Sequence, residues 1–217
     1  MSILIFRYME KTLQISINSI KLEGILAIPD GAKGLVIFAH GAGSSRLSPR
    51  NNFVAEEIRK RGVGTLLFDL LTEEEDEIYE NRFDIPLLAD RLKIVTEWVK
   101  KQAQTKNLNI GYFGSSTGAA AAIIGAADIG PEIKAVVSRG GRPDLAGEAL
   151  SQIQSPTLFM VGGDDFGVIE LNQESYDLMK CKKELKIIPG ATHLFEEPGT
   201  LEEVARLAAE WFKRYLA

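Results

Sequence analysis

From about Thr12 to its end the chain alternates short apolar runs with longer amphipathic stretches, a pattern that predicts strands and helices in regular succession. Leu13-Gln14-Ile15-Ser16-Ile17 and Leu22-Glu23-Gly24-Ile25-Leu26-Ala27-Ile28 alternate apolar with polar or small residues, as two half-buried antiparallel strands do, with Asn18 and Ser19 as their turn. Pro29-Asp30-Gly31 breaks the alternation. Residues 34–39, 64–69, 108–113, 133–138 and 157–162 are then predominantly apolar runs of the kind found in strands buried on both faces, and residues 185–188 make a last strand. The stretches between them carry helical spacing. Phe53, Val54, Ala55 and Ile58 mark a helix over residues 51–61 that Gly62 stops. Leu87, Leu88, Leu92, Val95, Trp98 and Val99 mark one face of a long helix starting near Asp84-Ile85-Pro86. Residues 144–150 have helical propensity, and Leu201, Val204, Ala208, Trp211, Phe212 and Tyr215 give a final amphipathic helix.

Two antiparallel strands followed by alternating helices and buried strands predict an α/β fold. The expected architecture is a doubly wound, mostly parallel sheet of about eight strands with helices on both faces and right-handed crossovers. No repeat or linker interrupts it, so residues 1–217 are expected to form one domain, with residues 1–11 as a flexible leader. In such a sheet ligands bind beyond the carboxyl ends of the strands.

Composition narrows the partners. The chain has 217 residues, 45% hydrophobic and 25% charged, enough for one sizeable core. A net charge of −5 with no basic stretch argues against nucleic acid. The run Glu73-Glu74-Glu75-Asp76-Glu77 reads as a solvated loop or helix start. A single cysteine, Cys181, excludes an internal disulfide and fits a reducing cytoplasm. Neither a metal cluster nor a cofactor motif is expected. The apolar opening Ile3-Leu4-Ile5-Phe6 meets Arg7 and Glu10 without a cleavage site and is too short for a bilayer, so neither secretion nor membrane insertion is expected. Met9 is an alternative start, which predicts that removing the first eight residues leaves folding and activity intact.

The chemistry concentrates at strand ends. Gly114-Ser115-Ser116-Thr117-Gly118 joins an apolar strand to a small-residue helix as a G-x-S-x-G elbow, a turn so tight that only glycine fits two residues to either side of the serine. Ser116 is thereby a candidate nucleophile at the positive end of a helix dipole. Such a serine needs a base, and a carboxylate to orient that base. The chain offers two histidines: His40 in the turn His40-Gly41-Ala42-Gly43, and His193 in the loop Gly190-Ala191-Thr192-His193 before the last helix. His193 is the better base. Val161-Gly162-Gly163-Asp164-Asp165 offers two acids; Asp165 is preferred for its spacing, with Asp164 as the alternative. Arg46, Arg139 and Arg142 follow strands and are candidates for binding an acidic group on the substrate; pairing with Asp144, Glu148 or loop acids is the competing expectation. Residues 72–84 are the one candidate lid, since no inter-strand segment is long enough for a large cap. Asp69, Trp98, Trp211 and the methionines read as structural.

The His40-Gly41-Ala42-Gly43-Ser44-Ser45-Arg46 turn, the elbow, the Gly162-Gly163-Asp164-Asp165 loop and Gly190-Ala191-Thr192-His193, in that order, resemble a compact α/β-hydrolase of the dienelactone hydrolase-like group. The resemblance implies Ser116 as nucleophile, Asp165 as acid and His193 as base. It also implies an oxyanion hole made by the N–H groups of Thr117 and Ala42. Dienelactone hydrolases proper carry a cysteine at the elbow; here Ser116 stands there, and Cys181 lies in the charged run Lys180-Cys181-Lys182-Lys183. The implied reaction is hydrolysis of a small carboxylic ester or lactone, with an anionic substrate as one form, through an acyl-enzyme in a monomer or homodimer. A thioesterase or small peptidase using the same triad, and a non-catalytic ligand-binding relative, are the alternatives.

Overall fold

The computed structural model describes residues 8–17 and 20–217. In chain order the strands are β1 (Tyr8–Ile17), β2 (Ile20–Pro29), β3 (Gly34–Ala39), β4 (Gly64–Phe68), β5 (Asn109–Ser115), β6 (Ile133–Arg139), β7 (Thr157–Gly162) and β8 (Lys183–Ile188). They form one sheet in the order β1-β2-β4-β3-β5-β6-β7-β8. β1 pairs antiparallel with β2, and β2 with β4; every other pairing is parallel. The helices are α1 (Pro49–Arg59), α2 (Glu73–Asp76), α3 (Ile85–Lys101), α4 (Thr117–Ile129), α5 (Ala149–Gln152), α6 (Phe166–Leu178) and α7 (Thr200–Leu216), with short 3-10 turns that include Tyr79–Phe83. This is the doubly wound, mostly parallel α/β sheet expected from the pattern, without a large cap among the described residues.

Both faces of the central strands are buried, which is why those strands read as continuous apolar runs. On β3, Val36 and Phe38 join a core layer with Val54 and Ile58 of α1 and Ala208 and Phe212 of α7. Leu35 and Ile37 point the other way, into a layer with Leu88, Leu92 and Val95 of α3 and Ala121 of α4. The sheet runs outward from β3 to β4 and then back across to β5, so the chain diverges between the carboxyl ends of β3 and β5. A doubly wound sheet opens its ligand crevice at such a switch point. The His40-Gly41 turn and the Ser116 elbow leave the sheet on its two sides.

The first strand corrects one expectation. Residues 8–11, assigned to the leader, are ladder positions of β1, starting with Tyr8 opposite Pro29. The strand was read short because its opening, Tyr8 to Thr12, carries charged residues on an exposed edge. The remainder of the expected leader, residues 1–7, and the turn residues Asn18 and Ser19 lie outside the described residues. The acidic run forms α2, capped by Thr72 and Glu75 in a reciprocal capping box.

Candidate active site

Ser116 sits at the junction of β5 and α4 with φ 50° and ψ −123°, a conformation that costs a non-glycine residue about 1–3 kcal/mol. Neighbouring backbone enforces it. The Ser116 N–H donates to the carbonyl of Arg139 at 3.3 Å, and its own carbonyl accepts from the N–H groups of Ala119 and Arg142, both at 3.1 Å. The end of β6 and the loop after it therefore hold the serine where the fold cannot relax it. Across the crevice the His40-Gly41 turn closes on the same point: a β-carbon on Gly41 would lie 2.9 Å from Ser116 Cβ.

The two histidines have separate fates. His40 is buried; its Nε2 accepts the Leu70 N–H at 3.1 Å and its Nδ1 lies 2.9 Å from the Gly41 carbonyl. An amide can only donate and a carbonyl can only accept, so the proton is on Nδ1 and the ring is neutral. Burial lowers its pKa from the ordinary 6.5, against the raising influence of the Gly41 carbonyl and of Asp69 and Asp76. His40 is thus a strut between β3 and the chain after β4. A base with a folded pKa below its unfolded one contributes stability that is complete above about pH 6.5 and is lost as pH falls, because the unfolded chain takes the proton more readily. The melting temperature is expected to fall between pH 7.5 and 5, and to fall less steeply in His40→Gln, whose amide oxygen can still accept from Leu70. Equal slopes would remove His40 from this role.

His193 is partly exposed, and its Nδ1 lies 2.7 Å from Asp165 Oδ2. The carboxylate paired with it is therefore that of Asp165, while Asp164 uses its backbone N–H to reach the Ala191 carbonyl at 2.9 Å. The ring lies over the end of β6, where a β-carbon on Gly140 would come within 3.7 Å of His193 Cε1. Because a carboxylate only accepts, Nδ1 carries the hydrogen and the Nε2 lone pair is left as the basic site. No hydrogen bond joins it to Ser116 Oγ among the described residues, and such bonds commonly tighten only when substrate is present. Phe166, beside Asp165, and Leu194, beside His193, are exposed and put apolar surface at the rim.

Two of the expected arginines are committed elsewhere. Arg46 is held by Asp69 and Glu23, with its own N–H donating to Asp69 Oδ1 at 2.7 Å. Arg142 makes a bidentate pair with Asp144 at 2.9 and 2.7 Å. Each finds a carboxylate inside the protein, the competing expectation for these arginines, and Asp69, read as structural, is the anchor of the first. Arg139 is different. It is 8% exposed, its Nη1 is buried without a hydrogen-bond partner, and among the described residues no carboxylate pairs with it. Its guanidinium carbon lies 5.8 Å from the centre of the Phe113 ring. Burial, and secondarily Arg50, pull its pKa down to about 10. A desolvated cation without a counter-charge is costly, and an anion arriving beside it removes that cost.

The oxyanion expectation also changes. The Ala42 N–H donates to Thr117 Oγ1 at 3.0 Å instead of facing the crevice as a free donor. Beside this turn lies a cleft of about 510 Å³ bordered by Gly43, Ser45, Ser48, Arg50, Asp76 and Arg82. Asp76 and Arg82 belong to the segment expected as a lid and form a two-pronged pair at 3.0 and 2.9 Å. Sequence reasoning missed them because a pair six residues apart outside a regular helix leaves no periodic mark. Among the described residues no group of His, Cys, Asp and Glu is placed to hold a metal ion, and no helix is long and apolar enough to cross a membrane.

A mostly parallel sheet with a strained serine elbow after β5 and a histidine–carboxylate pair after β7 and β8 defines an α/β-hydrolase fold. The model of the dienelactone hydrolase family matches residues 22–216, and the chain belongs to that family. A crystal structure of a dienelactone hydrolase from Anabaena variabilis is 51% identical, covers 97% of this chain and 99% of its own, and superposes with a TM-score of 0.94. Est1E from Butyrivibrio proteoclasticus shares the fold at 20% identity and a TM-score of 0.79, covering 94% of this chain and 98% of its own. Two Mycobacterium tuberculosis strains carry a protein, under the name "Putative phosphoribosyl transferase", that is 52% identical over 207 residues. That match covers 95% of this chain and 47% of the relative, so the chain spans about half the length of those proteins.

Proposed function

We propose that this chain is a serine hydrolase cleaving small carboxylic esters or lactones through an acyl-enzyme on Ser116. The observation that carries this reading is the His193–Asp165 pair at 2.7 Å on the same sheet edge as the strained Ser116. Ser116 Oγ attacks the carbonyl carbon while His193 Nε2 takes its proton; Asp165 holds the ring by Nδ1 and stabilises the imidazolium. The carbonyl electrons move onto oxygen, where donors at the start of α4 receive them. The alcohol departs with the proton from His193, and water then cleaves the acyl-enzyme by the same route in reverse. Each oxyanion donor in such a site contributes about 3 kcal/mol. The dienelactone hydrolase name of the 51%-identical structure supports an ester as substrate. A chain with one free, half-buried cysteine suits a reducing compartment, and we place the enzyme in the cytoplasm.

The unpaired Arg139 supports a substrate bearing a negative charge. A panel of esters matched in size, half of them with a terminal carboxylate, tests both parts. The wild type is expected to hydrolyse the panel with a preference for the anionic members. In Arg139→Ala the anionic members are expected to lose about 10- to 100-fold in kcat/KM while the neutral ones stay close to wild type, the range for a hydrogen bond to a charged group. Identical profiles for the two proteins would remove Arg139 from recognition, and a panel left wholly uncleaved would remove the ester.

A further inference from the structure

We propose that the side-chain hydroxyl of Thr117 is a catalytic oxyanion donor, standing in for the Ala42 N–H that it engages. This rests on the serine-hydrolase reading above. The Ala42 N–H donates to Thr117 Oγ1 at 3.0 Å, across 75 residues of chain, so one lone pair of that oxygen is occupied and the amide proton is spent. The hydroxyl proton of Thr117 has no acceptor among the described residues. The side chain is 5% exposed, so bulk water does not supply one freely.

What surrounds the hydroxyl explains where its proton goes. Thr117 is the first residue of α4, and the first turn of a helix presents N–H donors, not carbonyls. Those donors and the positive end of the helix dipole disfavour the hydroxyl hydrogen on their own side and leave it for an acceptor that arrives from outside the helix. The first strong acceptor to arrive there is the carbonyl oxygen of an ester under attack by Ser116. A hydroxyl that already accepts a hydrogen bond is a better donor, so the Ala42 N–H still contributes, one link removed. Only hydrogen bonds change in this relay: the Ser116 proton moves to His193, the carbonyl electrons move to oxygen, and the Thr117 proton stays on Oγ1. Together the N–H and O–H of one residue then give the two donors that the chemistry needs, both rigidly tied to the nucleophile's own turn.

The test compares Thr117→Val, which keeps the shape and removes the hydroxyl, with Thr117→Ser, which restores it. Two readouts are taken: kcat and KM on 4-nitrophenyl acetate, and the second-order rate at which a fluorophosphonate labels Ser116. Thr117→Val is expected to lower kcat and the labelling rate about 100-fold with KM little changed, the cost of one lost oxyanion donor. Thr117→Ser is expected to recover both to within about 10-fold of wild type. Thr117→Ala, which leaves space for a water to satisfy Ala42, serves if the valine variant does not fold. Labelling at or above the wild-type rate in Thr117→Val or Thr117→Ala would overturn the proposal, because the hydroxyl would then only fill the space in front of Ala42. So would a serine variant as slow as the valine one. Ser116→Ala separates the two failures: if it is inert while Thr117→Val is unimpaired, the donor assignment alone falls; if it still turns over, the serine mechanism falls with it.

Discussion

Ser116→Ala is expected to lower kcat on a small ester by about 10⁵- to 10⁶-fold while leaving the melting temperature within a few degrees of wild type. The size follows from how the triad is built. In the proposed mechanism the nucleophile arises only when the hydroxyl of a residue held at φ 50° meets an imidazole whose other nitrogen is held 2.7 Å from Asp165. Members of such a unit do not contribute independently, so His193→Ala is expected to cost nearly as much, and the double variant little more than either alone. Stability changes little because the Ser116 Oγ supports nothing else: it has no hydrogen-bond partner among the described residues, and the backbone anchors from Ala119, Arg139 and Arg142 do not involve it. Steady-state kinetics with a melting curve for each variant measure both halves. Turnover within tenfold of wild type in Ser116→Ala would contradict the assignment.

Gly118→Ala is the second large expectation, and its effect falls on the fold. A β-carbon at residue 118 would lie 2.1 Å from the carbonyl oxygen of Ala39 and 2.5 Å from that of His40. Both obstacles are backbone at the end of β3, the middle of the sheet, and cannot swing aside as a side chain would. To make room, α4 must lift off the strand, which disturbs the elbow and the small-residue packing of Ala119 to Ala122 beneath it. The expected loss is about 4 kcal/mol or more, at the upper end for a single substitution. For a chain of this size that lowers the melting temperature by about 10 °C or more. Gly167→Ala, where a β-carbon meets nothing within 4 Å, is the matched control. A melting temperature for Gly118→Ala equal to that of the control would show that the elbow tolerates a side chain there.

Where the fold was legible in the sequence, a single physical cause made it so. The predicted strands at residues 34–39 and 157–162 coincide with β3 and β7 because burial on both faces demands an unbroken apolar run that ends where burial ends. Helix α6 was not predicted: its buried positions include Asn172 and Ser175, while Phe166 and Leu178 at its ends are exposed, so no apolar stripe marks it. Asn172 is inside because its amide donates to the Gly141 carbonyl at 2.9 Å, a contact that periodicity cannot register. Strand β8 was read two residues short because Lys183 and Glu184 begin a strand with one neighbour and a largely solvated surface.

The same distinction divides the site. Ser116, Asp165 and His193 could be picked out because each sits in a local motif whose glycines report a tight turn at a strand end. Nothing local reports that Arg46 is held by Glu23 and Asp69, that Arg139 finds no acid among the described residues, or that Ala42 spends its N–H on Thr117, since each fact depends on which distant segment folds alongside. Sequence picked out the candidate reacting groups; the wiring of the charges and donors around them required the folded chain.

The central claim is that an acyl group passes through Ser116, and trapping that group tests it directly. Protein quenched in acid during turnover of a 4-nitrophenyl ester, then digested and mapped by mass spectrometry, is predicted to carry one acyl group on the peptide containing Ser116, and none in Ser116→Ala. An acyl group found on another residue, or turnover that persists without any covalent adduct, would contradict the account.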